Sequence, residues 1–182
     1  MPIRSLWKSA IIGTVTVIAG IALVLGTWAL DELVAFVAMF MVARGALHIV
    51  TMSFEGATGA LAALQGGGEV GVGLLLLIWP SPTLTVLVVV VGTWVIVRAV
   101  VAATIVAATH LERVGWRLQF TASLIEVAFG LALIARPIDS VEGTAWILGA
   151  LAGFDGLVEI VVAVVLTRFE RQRPLQETAS AS

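Results

Sequence analysis

Arg44, Arg98 and Asp155 recur at the same place in three similar apolar segments, and they are the residues of this chain whose types and spacing can do chemistry. Each stands mid-segment, where an ionised side chain in hydrocarbon costs roughly 2.5 to 3.5 kcal/mol on insertion scales, so such residues face a partner, a cavity or a subunit contact. Thr16, Glu69 and Glu126 hold matching positions in the preceding apolar segments, and His48, Ala102 and Glu159 follow the first set by one helical turn. Together Arg44, His48, Glu69, Arg98, Glu126, Asp155 and Glu159 make a candidate intramembrane charge belt. Two guanidinium groups face four carboxyl groups, so at least one acid must be protonated, wetted or paired across a subunit boundary. His48 adds a group that titrates at about pH 6.5 when unperturbed.

The elements that must position these residues follow from composition. Of 182 residues 60% are apolar and 12% charged, and the mean hydropathy is +1.10, which no soluble packing of this size can hide. About 20 apolar residues cross a bilayer, and six such stretches fall near 9–29, 33–53, 58–79, 84–108, 117–135 and 144–166. The fold class expected is all-α, a polytopic membrane protein with six transmembrane helices. Its transmembrane domain covers 1–167, and a polar, mobile cytoplasmic tail covers 168–182.

The net charge of −2 and the scatter of Lys and Arg argue against nucleic acid. Zero cysteines exclude disulfides and thiolate metal sites, and two histidines leave little for imidazole ligation. No metal or cofactor is expected, and no serine lies near both a histidine and an acid, so a non-enzymatic protein is expected. Arg4 and Lys8 precede the first stretch as in a signal peptide, but its length and its later repetition make it a retained helix.

Orientation follows from the cationic residues. Arg4, Lys8, Arg113, Arg117, Arg168, Arg171 and Arg173 fall on one side, and only Arg136 on the other, among Asp31, Glu32, Asp139 and Glu142. Both termini are expected in the cytoplasm. Trp7, Trp28, Trp79 and Trp116 lie near the boundaries, where indole rings prefer headgroups, whereas Trp94 falls mid-span. The segment 110–117 is short and amphipathic, and reads as an interfacial turn in contact with membrane lipids or as a docking site for a protein partner.

The chain repeats itself every 53 to 57 residues, long enough for two crossings and a turn, with units near 7–54, 58–109 and 115–167. Gly20 to Thr27, Gly73 to Pro80 and Gly130 to Pro137 end the first helix of each unit, the two prolines acting as stops. Three tandem helical hairpins are therefore expected. Glu69 and Gly73, and Glu126 and Gly130, share a helical face, on which the glycine leaves room for an Arg to reach the acid. Gly67 and Gly71, and Gly149 and Gly153, have the small-x-x-x-small spacing that lets helices approach in lipid. These four are the candidate packing residues, within the chain or in a homo-oligomer. The run Gly66 to Gly68 is either close packing or a helix break lining a cavity beside Glu69.

With Gly73 to Pro80 followed by Ser81, Pro82, Thr83, Leu84 and Thr85, and with Gly130 and Pro137 preceding Asp139 and Ser140 in the place of Thr83 and Leu84, the chain resembles the HdeD-type acid-resistance membrane protein family. The likeness spans about 7–167. It implies a bacterial inner-membrane protein of six helices linked to survival in acid, with no established reaction. Thr27 for proline and Asp155 for arginine depart from three equivalent sites, so one site per chain is expected. Three functions stand open: acid-stress resistance through protonation of the belt, a structural or accessory subunit of a membrane complex, and a small-solute or proton-coupled transporter. The belt could equally serve only to fix helix rotation and register.

Overall fold

A computed structural model describes the backbone of residues 3–51, 56–79, 83–108, 116–135 and 140–180, and side chains within 10–50, 63–79, 83–107, 116–135 and 140–165. The chain forms six helices, α1 (Ile3–Leu25), α2 (Leu30–Thr51), α3 (Gly56–Ile78), α4 (Leu84–Ala108), α5 (Trp116–Ala135) and α6 (Val141–Ser180), with no strand among the described residues. All six expected spans fall on helices. Leu30–Val50, Leu84–Ala107, Trp116–Ala135 and Val141–Val165 are each long and apolar enough to cross a membrane, while the described apolar parts of α1 and α3, Ala10–Leu25 and Ala63–Ile78, are shorter. The helices turn Ile11, Ile18, Leu64, Val100, Phe129 and Leu157 outward at mid-span, an apolar coat that suits lipid. α6 continues as helix to Ser180, through the stretch expected to be a polar tail.

Helix starts are set by local chemistry. Thr83 accepts the amide hydrogen of Val86 at 3.3 Å and Ser140 that of Gly143 at 3.1 Å, so both are N-caps. At the matching place in the first unit, the amide of Ala29 donates to Glu32 at 3.1 Å, the return half of a capping box. These caps start the second helices at Leu30 and Val141, about three residues before the hydropathy pattern alone suggests. They also correct the motif register, because Ser140 and not Asp139 stands in the place of Thr83. The turn residues Pro80, Pro82 and Pro137 to Asp139, the segment 109–115, and the side chains of Arg4, Trp7, Lys8, Arg168, Arg171 and Arg173 lie outside the described residues. Ser140→Ala should lower unfolding stability by about 0.5 to 2 kcal/mol, read as a lower Tm by circular dichroism in detergent, and Thr83→Ala should do the same for α4.

The two helices of one unit touch only lightly. Close packing is instead between units, α2 against α3 and α4 against α5, and α6 returns to α1 to close the ring. Small residues seven apart make these seams. A Cβ on Gly20 would lie 2.7 Å from the carbonyl oxygen of Gly149, and one on Gly13 would lie 2.7 Å from that of Gly156. Gly66 faces Gly45, Gly73 faces Ala38, and Gly130 faces Gly92 in the same way. A spacing of seven is close to two helical turns, so both members of each pair point at the neighbouring helix and backbones approach at two levels.

The expected seams fare unequally. A Cβ on Gly67, Gly71 or Gly153 would meet nothing within 4 Å, so Gly67 and Gly71 form no close contact in the chain. Gly149 does pack against α1, and the backbone of Gly153 abuts Gly20. The physical reason is angular: α3 already uses Gly66 and Gly73 against α2, and Gly67 and Gly71 fall on a different face. The glycine run does not break α3 either, since the helix is continuous. Its three members have separate neighbours: Gly66 meets α2, Gly67 faces open space, and Gly68 lies directly against the Trp94 ring.

Second helices line the axis of the ring. Val37, Val91 and Leu148 hold matching positions and are buried together, as are Leu33, Leu87 and Thr144 one turn further out. Leu23, Leu76 and Leu133 enter this core from the first helices, again in register.

Candidate functional site

Arg44, Arg98 and Asp155 each lie fourteen residues past the start of their helix, at Leu30, Leu84 and Val141. Glu69 and Glu126, like Thr16, each precede the end of theirs, at Ile78, Ala135 and Leu25, by nine. Equal depth on a closed ring brings these side chains to one layer, and the structure joins all seven expected belt residues in a single network. Arg98 donates through Nη1 to Asp155 Oδ2 at 2.9 Å and through Nη2 to Glu126 Oε2 at 2.8 Å. Arg44 pairs through Nη2 with the same Asp155 oxygen and with Glu159 Oε1 at 3.0 Å. Its Nη1 lies 3.7 Å from Glu69 Oε1, and His48 Nε2 lies 3.8 Å from Glu159 Oε1.

Asp155 is therefore the bridge between the two cations. A short carboxylate at the place of a third arginine sits between two long side chains reaching in from α2 and α4, and accepts from both. Glu159, one turn on, is likewise paired, with Arg44. The first unit departs in the other direction: Thr16 is fully buried and donates its hydroxyl to the carbonyl of Ile12 at 2.8 Å, so α1 contributes no charge. Replacement of Arg by Asp on α6 and of Glu by Thr on α1 turns a three-fold arrangement into one asymmetric site.

The glycines beside the acids have another role than the one expected. Gly73 and Gly130 admit the backbone or side chains of α2 and α4, not a guanidinium: a Cβ on Gly73 would lie 2.7 Å from the carbonyl oxygen of Ala38, and one on Gly130 would lie 2.6 Å from Ile96. They bring the helices near enough for the acids to reach the arginines, which is a positioning effect one step removed.

Burial is deep at the centre, with Glu69 at 2% and Asp155 at 5% exposed, and shallower at the side chains of His48 and Glu159, 14% and 21% exposed. Ion pairs at this depth repay the loss of hydration only with further hydrogen bonds. Arg44 Nε, Glu69 Oε2 and Glu159 Oε2 are buried with no hydrogen-bond partner, so the network has spare donors and acceptors.

Two cavities flank the belt. On the axis a space of about 70 Å3 is walled by Phe40, Trp94 and Leu151, matching residues of α2, α4 and α6, and is floored by Arg44, Arg98 and Asp155. On the other side a space of about 300 Å3 lies between α4, α5 and α6. Gln65, Gln119 and Ser123 line it together with Glu126 and Glu159. Sequence reasoning passes over these residues. Trp94 carries a signal, an indole far from either boundary and in register with Phe40, whereas the two glutamines and Ser123 carry none until the ring is assembled. Among the described residues no group of His, Asp and Glu side chains could hold a metal ion.

Comparison with known families places this architecture in context. A model of a short repeat of unknown function, DUF308, matches residues 64–135 and again 121–177. The two matches start 57 residues apart, the spacing that separates Glu69 from Glu126. No curated protein and no solved structure matches the chain.

Proposed function

We propose that this chain, which belongs to the DUF308 family and is an integral membrane protein, is a non-enzymatic proton-binding protein of the bacterial inner membrane that contributes to acid-stress resistance. The observation that carries this reading is the count of charges in one bonded network: Arg44 and Arg98 against Glu69, Glu126, Asp155 and Glu159. Two fixed cations neutralise two carboxylates and no more, and this reading assigns the remaining charge to protons, which burial favours over ionised acids. Glu69 and Glu126 bind and release them, Arg44 and Arg98 hold the acids in place, and Asp155 ties the arginines together. The likeness to HdeD-type proteins supports the link to acid survival, and the Lys and Arg bias supports cytoplasmic termini.

Purified protein in detergent should take up protons between neutral and mildly acid pH, seen as a change in carboxyl bands by infrared difference spectroscopy. Glu69→Gln and Glu126→Gln should each remove part of that signal, and the acid-survival effect with it, while elution volume and helicity stay as in the unaltered protein. Misassembly of both variants, or no carboxyl change at all, sinks the proposal in favour of a belt that only fixes helix register.

A second reading has one observation in its favour. Gly67, Gly71 and Gly153 present faces on which a Cβ would meet nothing, and such faces let another helix approach closely in lipid. On this reading the chain is a structural or accessory subunit, or a homo-oligomer. A stoichiometric partner that co-purifies with the unaltered protein and is lost with Gly71→Leu would support it. Solute or proton-coupled transport is the remaining proposal, and liposome flux that depends on Glu69 is its test.

A further inference from the structure

We infer that the belt exchanges protons with one face of the membrane only, through a water-filled cavity between α4, α5 and α6, while the opposite half of the bundle is closed to water; this rests on the proton reading above. The cavity of about 300 Å3 begins at the belt, at Arg98 and Asp155, and follows α4 to Val106, two residues short of the helix end at Ala108. At 1.5 Å per residue that is about 12 Å, most of the distance from belt to membrane face. A water needs roughly 10 to 15 Å3 of such space and two to four polar partners. The space is ample, Gln65 and Gln119 supply amide groups along it, and the Ser123 oxygen can accept although its hydrogen is donated to the Gln119 carbonyl at 3.0 Å.

The other half has the reverse character. Beyond the belt Val37, Val91 and Leu148 cap the axial cavity that they help to line, and Leu33, Leu87 and Thr144 fill the axis behind them, all buried. The Thr144 hydroxyl is committed to the carbonyl of Ser140 at 3.0 Å, so this plug offers water no free donor. The axial cavity beneath it, about 70 Å3, reaches the belt and stops. At the roughly 30 Å3 that each water takes up in the liquid it has room for about two, and two residues that line it, Arg44 and Glu69, carry buried atoms without partners, Nε and Oε2. The groups that meet at the belt are Arg44 and His48 from α2, Glu69 from α3, Arg98 from α4, Glu126 from α5, and Asp155 and Glu159 from α6, with α1 giving the neutral Thr16. A site wetted from one face senses the pH of that compartment and conducts nothing. By the charge bias of the loops that compartment is the cytoplasm.

The absence of cysteine makes the test direct. Single variants Ala122→Cys, Val158→Cys and Val162→Cys report on the cavity, and Val91→Cys and Ala145→Cys on the plug. Each is reconstituted in vesicles and exposed, from either face, to a charged, membrane-impermeant methanethiosulfonate, which reacts only with wetted thiols. The expected result is labelling of the cavity thiols only from the face at which α4 ends and α5 begins, and none of the plug thiols from either face. Labelling of Val91→Cys, labelling of the cavity thiols from the opposite face, or no labelling at any cavity position in well-folded variants overturns the inference. Proton uptake in detergent is blind to sidedness and separates the two claims. Uptake with two-sided labelling overturns the sidedness alone, and one-sided labelling without uptake overturns the proton reading itself.

Discussion

Arg98→Ala is expected to cost about 3 to 5 kcal/mol of stability, the range for removing one partner from a buried ion pair, and to leave most of the protein unassembled in detergent. Arg98 is 7% exposed and donates to carboxylates on two different helices, Glu126 on α5 and Asp155 on α6. Without it Glu126 has no cation, and Asp155 must share Arg44 with Glu69 and Glu159. No side chain of comparable reach lies at the matching place in the third unit, because Asp155 itself occupies it. The companion variant separates charge from volume. Arg98→Met with Glu126→Gln removes one cation and one acid together, keeps most of the side-chain volume, and leaves Asp155 with Arg44, so it should recover much of the lost stability. Thermal unfolding of the two singles and the double gives the coupling. If Arg98→Ala melts with the unaltered protein, or if the double variant is no better than that single, the network does not hold the ring together.

The depth of this network is legible in the sequence because a helix converts residue number into height. Once Gly20, Gly73 and Gly130 are aligned, the levels of Arg44, Arg98 and Asp155 follow from counting, and the structure brings them to one layer. Pairing is a different matter, because it depends on the order of helices around the ring. That α6 returns to α1 cannot be counted from any local pattern, and with it came the role of Asp155 as a bridge. The seams were missed for a related reason. A search for small residues four apart finds Gly67 and Gly71, but the contacts use residues seven apart: Gly13 and Gly20, Ala38 and Gly45, Gly66 and Gly73, Gly149 and Gly156. In α4 the same spacing reads Gly92 and Ala99, and in α5 Ser123 and Gly130. Six helices with one spacing are a stronger signal than any single motif, and it is visible only when the units are overlaid. The polar cavity has no sequence signature at all, since Gln65, Gln119 and Ser123 sit on two helices and meet only because α3 and α5 flank α4.

Gly20→Leu is expected to open the ring where it closes, at a cost above the 1 to 3 kcal/mol or so typical of overpacking. Any Cβ at this position would lie 2.7 Å from both the carbonyl oxygen of Gly149 and the amide nitrogen of Gly153. Both are backbone atoms of a continuous helix and neither can swing aside, so α1 itself must move. Among the described residues no ion pair holds it to the bundle. α3 and α5 are tied to the axis by Glu69 and Glu126, whereas the matching residue of α1 is Thr16, bonded to its own helix. Among the described residues packing alone keeps α1 against α6, through two close approaches, Gly20 with Gly149 and Gly13 with Gly156. Gly130 provides a milder contrast, because the nearest atom a Cβ would meet there is a side-chain atom, Cγ1 of Ile96, and the nearest backbone atom, the carbonyl oxygen of Gly92, stands off at 3.0 Å. Gly71→Ala provides the control. Its Cβ meets nothing, and helix propensity alone should stabilise it by about 0.8 to 1 kcal/mol. The expected order of Tm in detergent is therefore Gly71→Ala at or above the unaltered protein, Gly130→Ala somewhat below it, and Gly20→Leu far below. A Gly20→Leu protein that melts with Gly130→Ala would mean that α1 is held by something other than this seam, and that the ring does not close through α6.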